Sequence, residues 1–257
     1  MSERNAALSQ NEESPAVEFE SDVGVAGSPG LEVAIVSPAD AADGVLVTRI
    51  VELVNGVYAE AEKGLWRDGA DRTDASGVAA MVHAGELALA RLDGQLAGAV
   101  RMRRLDPGLA ELGMLVASPE YRGIGIGGAL VAFAEDWARQ QGIGRMQLEL
   151  LAPRTWTHPV KEFLRGWYTR LGYRQIRTAR LADAYPALQP RLATQCDFAI
   201  YHKNLERARG ERGRSWPRGP RDVPGQDCHG EHDRLRDWVG GVSGMPGRSG
   251  TSPGRRW

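Results

Sequence analysis

Between residues 31 and 205 the apolar positions follow the two periods of regular secondary structure. LEVAIVSP (31–38) reads as a first strand. In AADGVLVTRIVELVNGVYAEAEKGLW, which follows, Leu46, Ile50, Leu53 and Val57 share one helical face. TDASGVAAMVHAG reads as a shorter helix, with Thr73 and Asp74 as candidate caps. ELALARLDGQLAGAVRMRRLD places two strands around an Asp93-Gly94 turn, and GLAELGMLVAS adds a third. Leu130, Phe133, Ala134, Trp137 and Gln141 fit one helix stripe. RMQLELL reads as a buried strand. PVKEFLRGWYTRLGY reads as a helix opening at Pro159 and stopping at Gly172. QCDFAIYHKNL closes the series as the second of two final strands. The order β-α-α-β-β-β-α-β-α-β-β belongs to the α/β class with a mixed sheet: an antiparallel meander feeds a strand–helix–strand unit.

The flanks differ in composition. Residues 1–30 hold six acids and one Arg and are rich in Ser, Gly and Pro. Residues 206–257 hold 11 Arg and seven acids, no lysine and no periodicity. Neither can bury enough apolar area to offset chain entropy, so a disordered leader and a disordered tail are expected around a domain at 31–205. That domain balances 20 acids against 20 bases, so no bulk charge draws it to nucleic acid or membrane. No apolar run is long enough to span a bilayer, and the N-terminus lacks a secretory leader. A cytoplasmic protein without membrane or nucleic-acid partners is expected. Two cysteines make no disulfide framework, and Cys196, in an apolar run, reads as a buried thiol. CHGEH (228–232) falls short of a four-ligand site, so no metal is expected.

YRGIGIGGAL (121–130) puts four glycines before a striped helix. Glycines there let backbone N–H groups converge on an anion at a helix N-terminus. The NTPase loop needs Lys-Ser/Thr after its last glycine, but Ala129 and Leu130 stand there. Gly123, Gly125 and Gly128 spell the dinucleotide fingerprint, with Glu149 about 20 residues on. Pro119, however, ends the preceding strand first, and the loop follows an antiparallel meander rather than opening a first βαβ unit.

Pro119, Tyr121, Arg122, Gly125 and Gly127, following ELGMLVAS, resemble the acyl-coenzyme A signature of the GNAT superfamily of N-acetyltransferases. The element order of residues 31–205 resembles that family throughout. The resemblance implies mainly antiparallel strands with a central splayed parallel pair, flanked by helices. It implies acetyl-CoA as co-substrate, with its pyrophosphate on the backbone of Arg122, Gly123, Ile124, Gly125, Ile126, Gly127 and Gly128. Its pantetheine arm would lie along Leu115, Val116 and Ala117, with the Ala117 N–H on the thioester oxygen. WYTRLGY (167–173) matches the family's pattern for a general acid, which would be Tyr168. A carboxylate on the motif strand serves some relatives as base. Glu111, six residues before Ala117, would share its face on a regular strand.

Two departures stand out. Lys161 replaces an Asn that contacts coenzyme A in many relatives, and it could instead reach a phosphate. The loop APRTWTHPVKEF is long, so Trp156 and His158 could line an acceptor site. The expected function is transfer of acetyl to a primary amine, of a small molecule or a peptide, by direct attack in a ternary complex. A non-catalytic acyl-CoA-binding module on the same fold is the alternative, and a homodimer is left open.

Overall fold

The computed structural model describes residues 28–67 and 69–205. The CHGEH motif, the Arg-rich tail and residues 1–27 lie outside the described residues.

Seven strands form one sheet: β1 (Leu31–Ile35), β2 (Leu87–Leu92), β3 (Gln95–Asp106), β4 (Leu109–Ala117), β5 (Arg145–Pro153), β6 (Arg174–Arg180) and β7 (Cys196–Asn204), in the order β1-β2-β3-β4-β5-β7-β6. Every neighbouring pair is antiparallel except β4 and β5. The helices are α1 (Gly44–Ala61), α2 (Ala75–His83), α3 (Ile126–Gln140), α4 (Pro159–Arg170) and a single turn, α5 (Leu181–Ala184).

Local chemistry accounts for the boundaries. Asp43 caps α1, accepting from the amides of Val45 and Leu46 at 3.0 Å. Asp74, not Thr73, caps α2, accepting from Gly77 N at 2.8 Å. Asp93 and Gly94 have φ of 48° and 78°, as a two-residue hairpin requires. Pro159 opens α4, and Gly172, at φ 92°, follows its end. On α1 the fully buried line is Val47, Ile50 and Val54, with Leu46, Leu53 and Val57 on its shoulders. The face is the expected one, rotated slightly toward α2.

Two apolar layers sandwich the sheet. One joins it to α3 and α4 through Leu130, Val131, Ala134, Leu164, Trp167 and Tyr168. The other joins it to α1 and α2 through Val47, Ile50, Val54, Val78 and Val82. A third cluster lies at the β5/β7 end, where Leu181, Tyr185, Leu188 and Leu192 cover Leu151, Cys196 and Phe198. Cys196 is buried, and burial pushes its thiol up to about 11.

β4 is not regular. Arg101 faces Gly113 and Ala99 faces Val116, so three steps on β4 match two on β3. The extra residue is a β-bulge, and Met114 within it has φ of 47°. Before the bulge, Ala110 and Leu112 face the α3/α4 layer; after it, Leu115 and Ala117 do. Met114 and Val116 turn to the α1/α2 layer. Glu111 therefore lies on the face opposite Ala117. The shared face expected from parity does not hold, because one inserted residue reverses the alternation.

Candidate active site

The loop after β4 is shaped by its backbone. Ser118 caps a 3-10 turn over Pro119–Tyr121, accepting from Glu120 N at 3.3 Å. Gly123 and Gly125 have φ of 82° and 81°, a region that L side chains rarely adopt. Gly125 is also the N-cap of α3 and brings no side chain to the first amides. The first bond into the helix runs from Ala129 N to Gly125 O at 3.0 Å. The amides of Ile126, Gly127 and Gly128 therefore precede the helical ladder. The Ile126 side chain is buried in the core, so this residue offers only main chain. A Cβ on Gly127 would meet Trp167 at 3.5 Å, and one on Gly128 would meet nothing within 4 Å. The start of α3 sits tight on the sheet at Gly98, where a Cβ would fall 2.8 Å from both Ile126 and the Val116 carbonyl. Ser28, inside the segment expected as leader, donates from Oγ to the Ile124 carbonyl at 3.1 Å. Chain upstream of Leu31 thus touches the glycine loop.

β4 and β5 pair only through Leu109–Arg145, Ala110–Met146 and Glu111–Gln147, then separate. On its other side β4 stays paired with β3 to Ala117. The Ser118 N–H points to β3, bonding the Ala97 carbonyl at 2.8 Å. By strand alternation the Ala117 N–H points the other way, into the gap.

A cavity of about 120 Å³ fills the gap, reaching from the β4/β5 fork to α1 and α4. Of the expected site residues it gathers Tyr168, Glu111 and Leu115. Val116 and Ala117 border the fork above it, and the glycine loop lies outside its wall. Trp156 and His158 do not line it. Trp156 packs on His158 with ring centroids 5.3 Å apart and donates to Thr194 Oγ1 at 3.4 Å. His158 is the buried N-cap of α4.

Three features of the cavity were not read from the sequence. The first is Glu149 on β5, weighed there only as a ribose acid in the discarded fingerprint. Burial, and then the negative charge of Glu111, raises its carboxyl to about 7. The Tyr185 hydroxyl donates to Glu149 Oε2 at 2.7 Å and opposes this rise. Tyr185 comes from the turn between α5 and a 3-10 helix over Pro186–Arg191, a stretch without period. Glu111 differs from Glu149 in being bound to a cation, Arg103, whose Nε donates to its Oε2 at 2.6 Å.

The second is a buried cluster at the other end. Lys161 Nζ donates to Glu62 Oε1 at 2.6 Å, and Trp66 Nε1 donates to Glu62 Oε2 at 2.5 Å. Arg72 lies 3.7 Å from Glu62, its guanidinium over the rings of Tyr58 at 4.6 Å and Trp66 at 4.9 Å. Burial opposes ionisation of Glu62, but Arg72 and Lys161 outweigh it and hold the carboxyl below its usual range. Lys161 is only 4% exposed. It is committed to Glu62 across the cavity, not presented to a phosphate.

The third is the setting of Tyr168. It packs against Trp167 and Tyr173, with centroids at 5.0 and 6.1 Å. No group among the described residues hydrogen-bonds its hydroxyl. Burial, and next the neighbouring Tyr58, pushes the phenol well above its ordinary value. It therefore keeps its proton throughout the neutral range.

Residues 53–173 match the model of the Acetyltransferase (GNAT) family. No curated protein matches the chain. Among solved structures, an acetyltransferase from Streptococcus agalactiae is 18% identical with a TM-score of 0.50, over 69% of this chain and 100% of that one. A mutant of agmatine N-acetyltransferase in its apo form is 14% identical with a TM-score of 0.50, over 68% and 100%. The yncA protein of Salmonella typhimurium with its cofactor acetyl-CoA is 16% identical with a TM-score of 0.49, over 70% and 97%. At these identities the likeness to the first two is one of fold alone. Among the described residues, no helix is long and apolar enough to cross a membrane, and no group of three His, Cys, Asp or Glu side chains is placed to hold a metal ion.

Proposed function

The chain carries a GNAT-family acetyltransferase domain across residues 53–173, and from that premise we propose that it moves an acetyl group from acetyl-CoA to a primary amine. The observation that carries this reading is the fork between β4 and β5. It opens directly onto a cavity holding a carboxyl poised near neutrality and a protonated phenol whose hydroxyl has no hydrogen-bond partner among the described residues.

In this reading the glycine loop takes the pyrophosphate of the co-substrate. The amides of residues 122–128 supply the donors, and the start of α3 adds a partial positive charge. Gly123 and Gly125 are needed for the turn itself. Gly128 leaves the helix surface bare where the phosphates approach, while Gly127 makes room for the Trp167 ring. The unpaired edge of β4 at Leu115–Ala117 takes the amide-bearing arm as an added strand. The Ala117 N–H then polarises the thioester carbonyl.

The transfer balances within the cavity. An acceptor amine, entering as ammonium, gives one proton to Glu149. Its nitrogen attacks the thioester carbon, so that a C–N bond forms and the C–S bond breaks. Tyr168 donates its proton to the departing sulfur, and the amide nitrogen loses its second proton to solvent. Glu149 suits the base because its carboxyl titrates near the working pH, where a base is most effective. Glu111 has the cation Arg103 against it. Its proposed part is to hold negative charge beside Glu149 and so keep that carboxyl basic. The domain proposed for this work is 31–205 with Ser28–Gly30 attached, operating in the cytoplasm, where acetyl-CoA is available and the buried thiol of Cys196 stays reduced.

The test follows thiol release from acetyl-CoA over a panel of primary amines, with calorimetry of acetyl-CoA binding alongside. Binding with turnover of at least one amine is expected. Binding without turnover of any amine would establish the non-catalytic module instead. Absence of binding would end both readings.

A further inference from the structure

Glu149 is held at both carboxyl oxygens. Oε2 accepts from the Tyr185 hydroxyl at 2.7 Å, and Oε1 accepts from Gln147 Nε2 at 3.4 Å. The longer contact belongs to the sheet. Gln147 lies two residues back on β5, and His202, opposite it on β7, donates from Nε2 to its Oε1 at 2.9 Å. The shorter contact comes from outside the sheet. Tyr185 lies 36 residues further along the chain, at the junction of α5 and the 3-10 helix. Its ring and backbone are held independently of the hydroxyl. The ring, 3% exposed, stands edge-on to Phe198 with centroids 5.0 Å apart. Its N–H bonds the Leu181 carbonyl at 2.7 Å, and its own carbonyl accepts from Leu188 N at 3.0 Å. Beyond it the segment is tied to the loop after α1. Arg67 N donates to the Arg191 carbonyl and Ala193 N to the Leu65 carbonyl, each at 2.9 Å, and Arg191 Nη2 donates to the Asp71 carbonyl at 2.7 Å.

We infer that Tyr185 is a positioning residue for the proposed transfer: its hydroxyl holds the Glu149 carboxylate by Oε2, in the form that can take a proton from the acceptor. This rests on the acetyl-transfer reading above and adds a residue to it. A carboxyl in this place is pressed to keep its proton. Burial and the negative charge of Glu111 on β4 both favour the neutral acid. Arg103 on β3 opposes them but is already bonded to Glu111, and Arg177 opposes them from β6, an exposed edge strand. His202, behind Gln147, brings no charge at neutral pH, because burial, then Arg145 and Arg177, hold it below its ordinary value. Across the cavity stand Tyr58, Glu62 and Arg72, from α1 and the residues after it, with Lys161 and Tyr168 from α4. Among these groups the Tyr185 hydroxyl makes the short bond to the carboxyl. A phenol donates more strongly to a carboxylate than to a carboxylic acid, so the bond favours ionisation. Tyr185 keeps its own proton throughout the neutral range, since burial, and next the charge of Glu149, push it well above its ordinary value.

Tyr185→Phe in the full chain keeps the ring and removes the donor. Two quantities are followed against pH. One is thiol release from acetyl-CoA with an amine that the wild type accepts. The other is the carbon-13 shift of the Glu149 carboxyl, assigned by its loss in Glu149→Gln. Both should titrate about one pH unit higher than in wild type, the effect of losing a charge-assisted hydrogen bond. Turnover should fall roughly 5-fold at pH 7 and recover toward wild type at pH 9. A residue that merely packs would lower it equally at every pH. Tyr185→fluorotyrosine, a stronger donor of nearly the same shape, should move both titrations the other way. An unmoved carboxyl titration in folded Tyr185→Phe overturns the inference, and so does a loss of turnover that is the same at every pH. If Tyr185→Phe does not fold, the fluorotyrosine variant decides, and a titration that does not move down overturns the inference. If the wild type turns over no amine, the acetyl-transfer reading fails by itself, and the carbon-13 titration still decides whether Tyr185 holds the carboxyl.

Discussion

The glycine loop and the cavity beneath the β4/β5 fork divide the proposed site between two kinds of construction. The loop is made of main chain: two positive-φ glycines, a helix start and a close approach at Gly98. The cavity is made of side chains from α1, the following loop, β4, β5, α4 and the turn at Tyr185. Main-chain sites act through geometry and fixed dipoles, which do not titrate. Side-chain sites act through groups whose charge depends on where they are buried. Changes in the loop should therefore move co-substrate affinity and leave the pH profile alone. Changes in the cavity should do the reverse.

The largest effect is expected from Glu149→Gln. It should lower kcat by roughly 10²- to 10⁴-fold, the usual contribution of a general base, and abolish the limb that rises near pH 7 in wild type. Acetyl-CoA affinity by calorimetry should be unchanged. A large loss of that affinity would show that fork and loop are not separable. Tyr168→Phe should come next, costing roughly 10- to 100-fold in kcat with the same pH limb retained. Turnover equal to wild type would remove Tyr168 from the chemistry.

Gly125→Ala should weaken acetyl-CoA binding by roughly 10-fold and lower stability by about 1 kcal/mol, since the left-handed backbone there excludes a Cβ cheaply only in glycine. Its pH profile should match wild type. Gly128→Ala is the quietest change. The added methyl meets nothing within 4 Å in the protein, and helix propensity alone should raise stability by about 0.5–1 kcal/mol. A fall in acetyl-CoA affinity in so benign a variant would place the ligand against that surface. An unaffected affinity would confine the cradle to residues 122–127.

Stability should also separate the two regions. The folded Glu149 carboxyl, at about 7, lies above its ordinary value of 4.5. Its ionisation therefore burdens only the native state. The native fold is unpenalised below pH 4.5 and loses stability as pH rises from there through 7. Glu149→Gln should then raise Tm at pH 8, by an amount equivalent to about 1–3 kcal/mol, and leave it unchanged at pH 4. No loop substitution should show that pH-dependent gain.

The same division explains what could be read in advance. Features written by neighbours in the chain were legible: the Asp93-Gly94 hairpin, the Asp74 cap, Pro159 and Gly172 around α4, and the glycines that turn β4 into α3. So was the mixed sheet they build, and the family resemblance carried by the glycine loop added its splayed parallel pair. The cavity was not. Its charges come from positions as far apart as Glu62 and Lys161, or Glu149 and Tyr185, and no local period records which distant side chain will be buried beside which. The bulge at Met114 was hidden for another reason. GLAELGMLVAS keeps an apolar run through it, because both faces of the strand there are covered, so the pattern never signals the slip that parts Glu111 from Ala117.

The fork also has a mechanical consequence. Within the sheet, the blade formed by β1–β4 is riveted to the blade formed by β5–β7 through three rungs at one end only. Across the open end the Glu62–Lys161 pair works as a clasp, pinning α1 to α4 from opposite sides of the gap. The jaws therefore have a spring at the root and a catch at the tip. The catch is a deeply buried ion pair, shielded from the salt that weakens exposed ones, so the tip stays fastened across ordinary ionic strengths while the rest of the gap remains open.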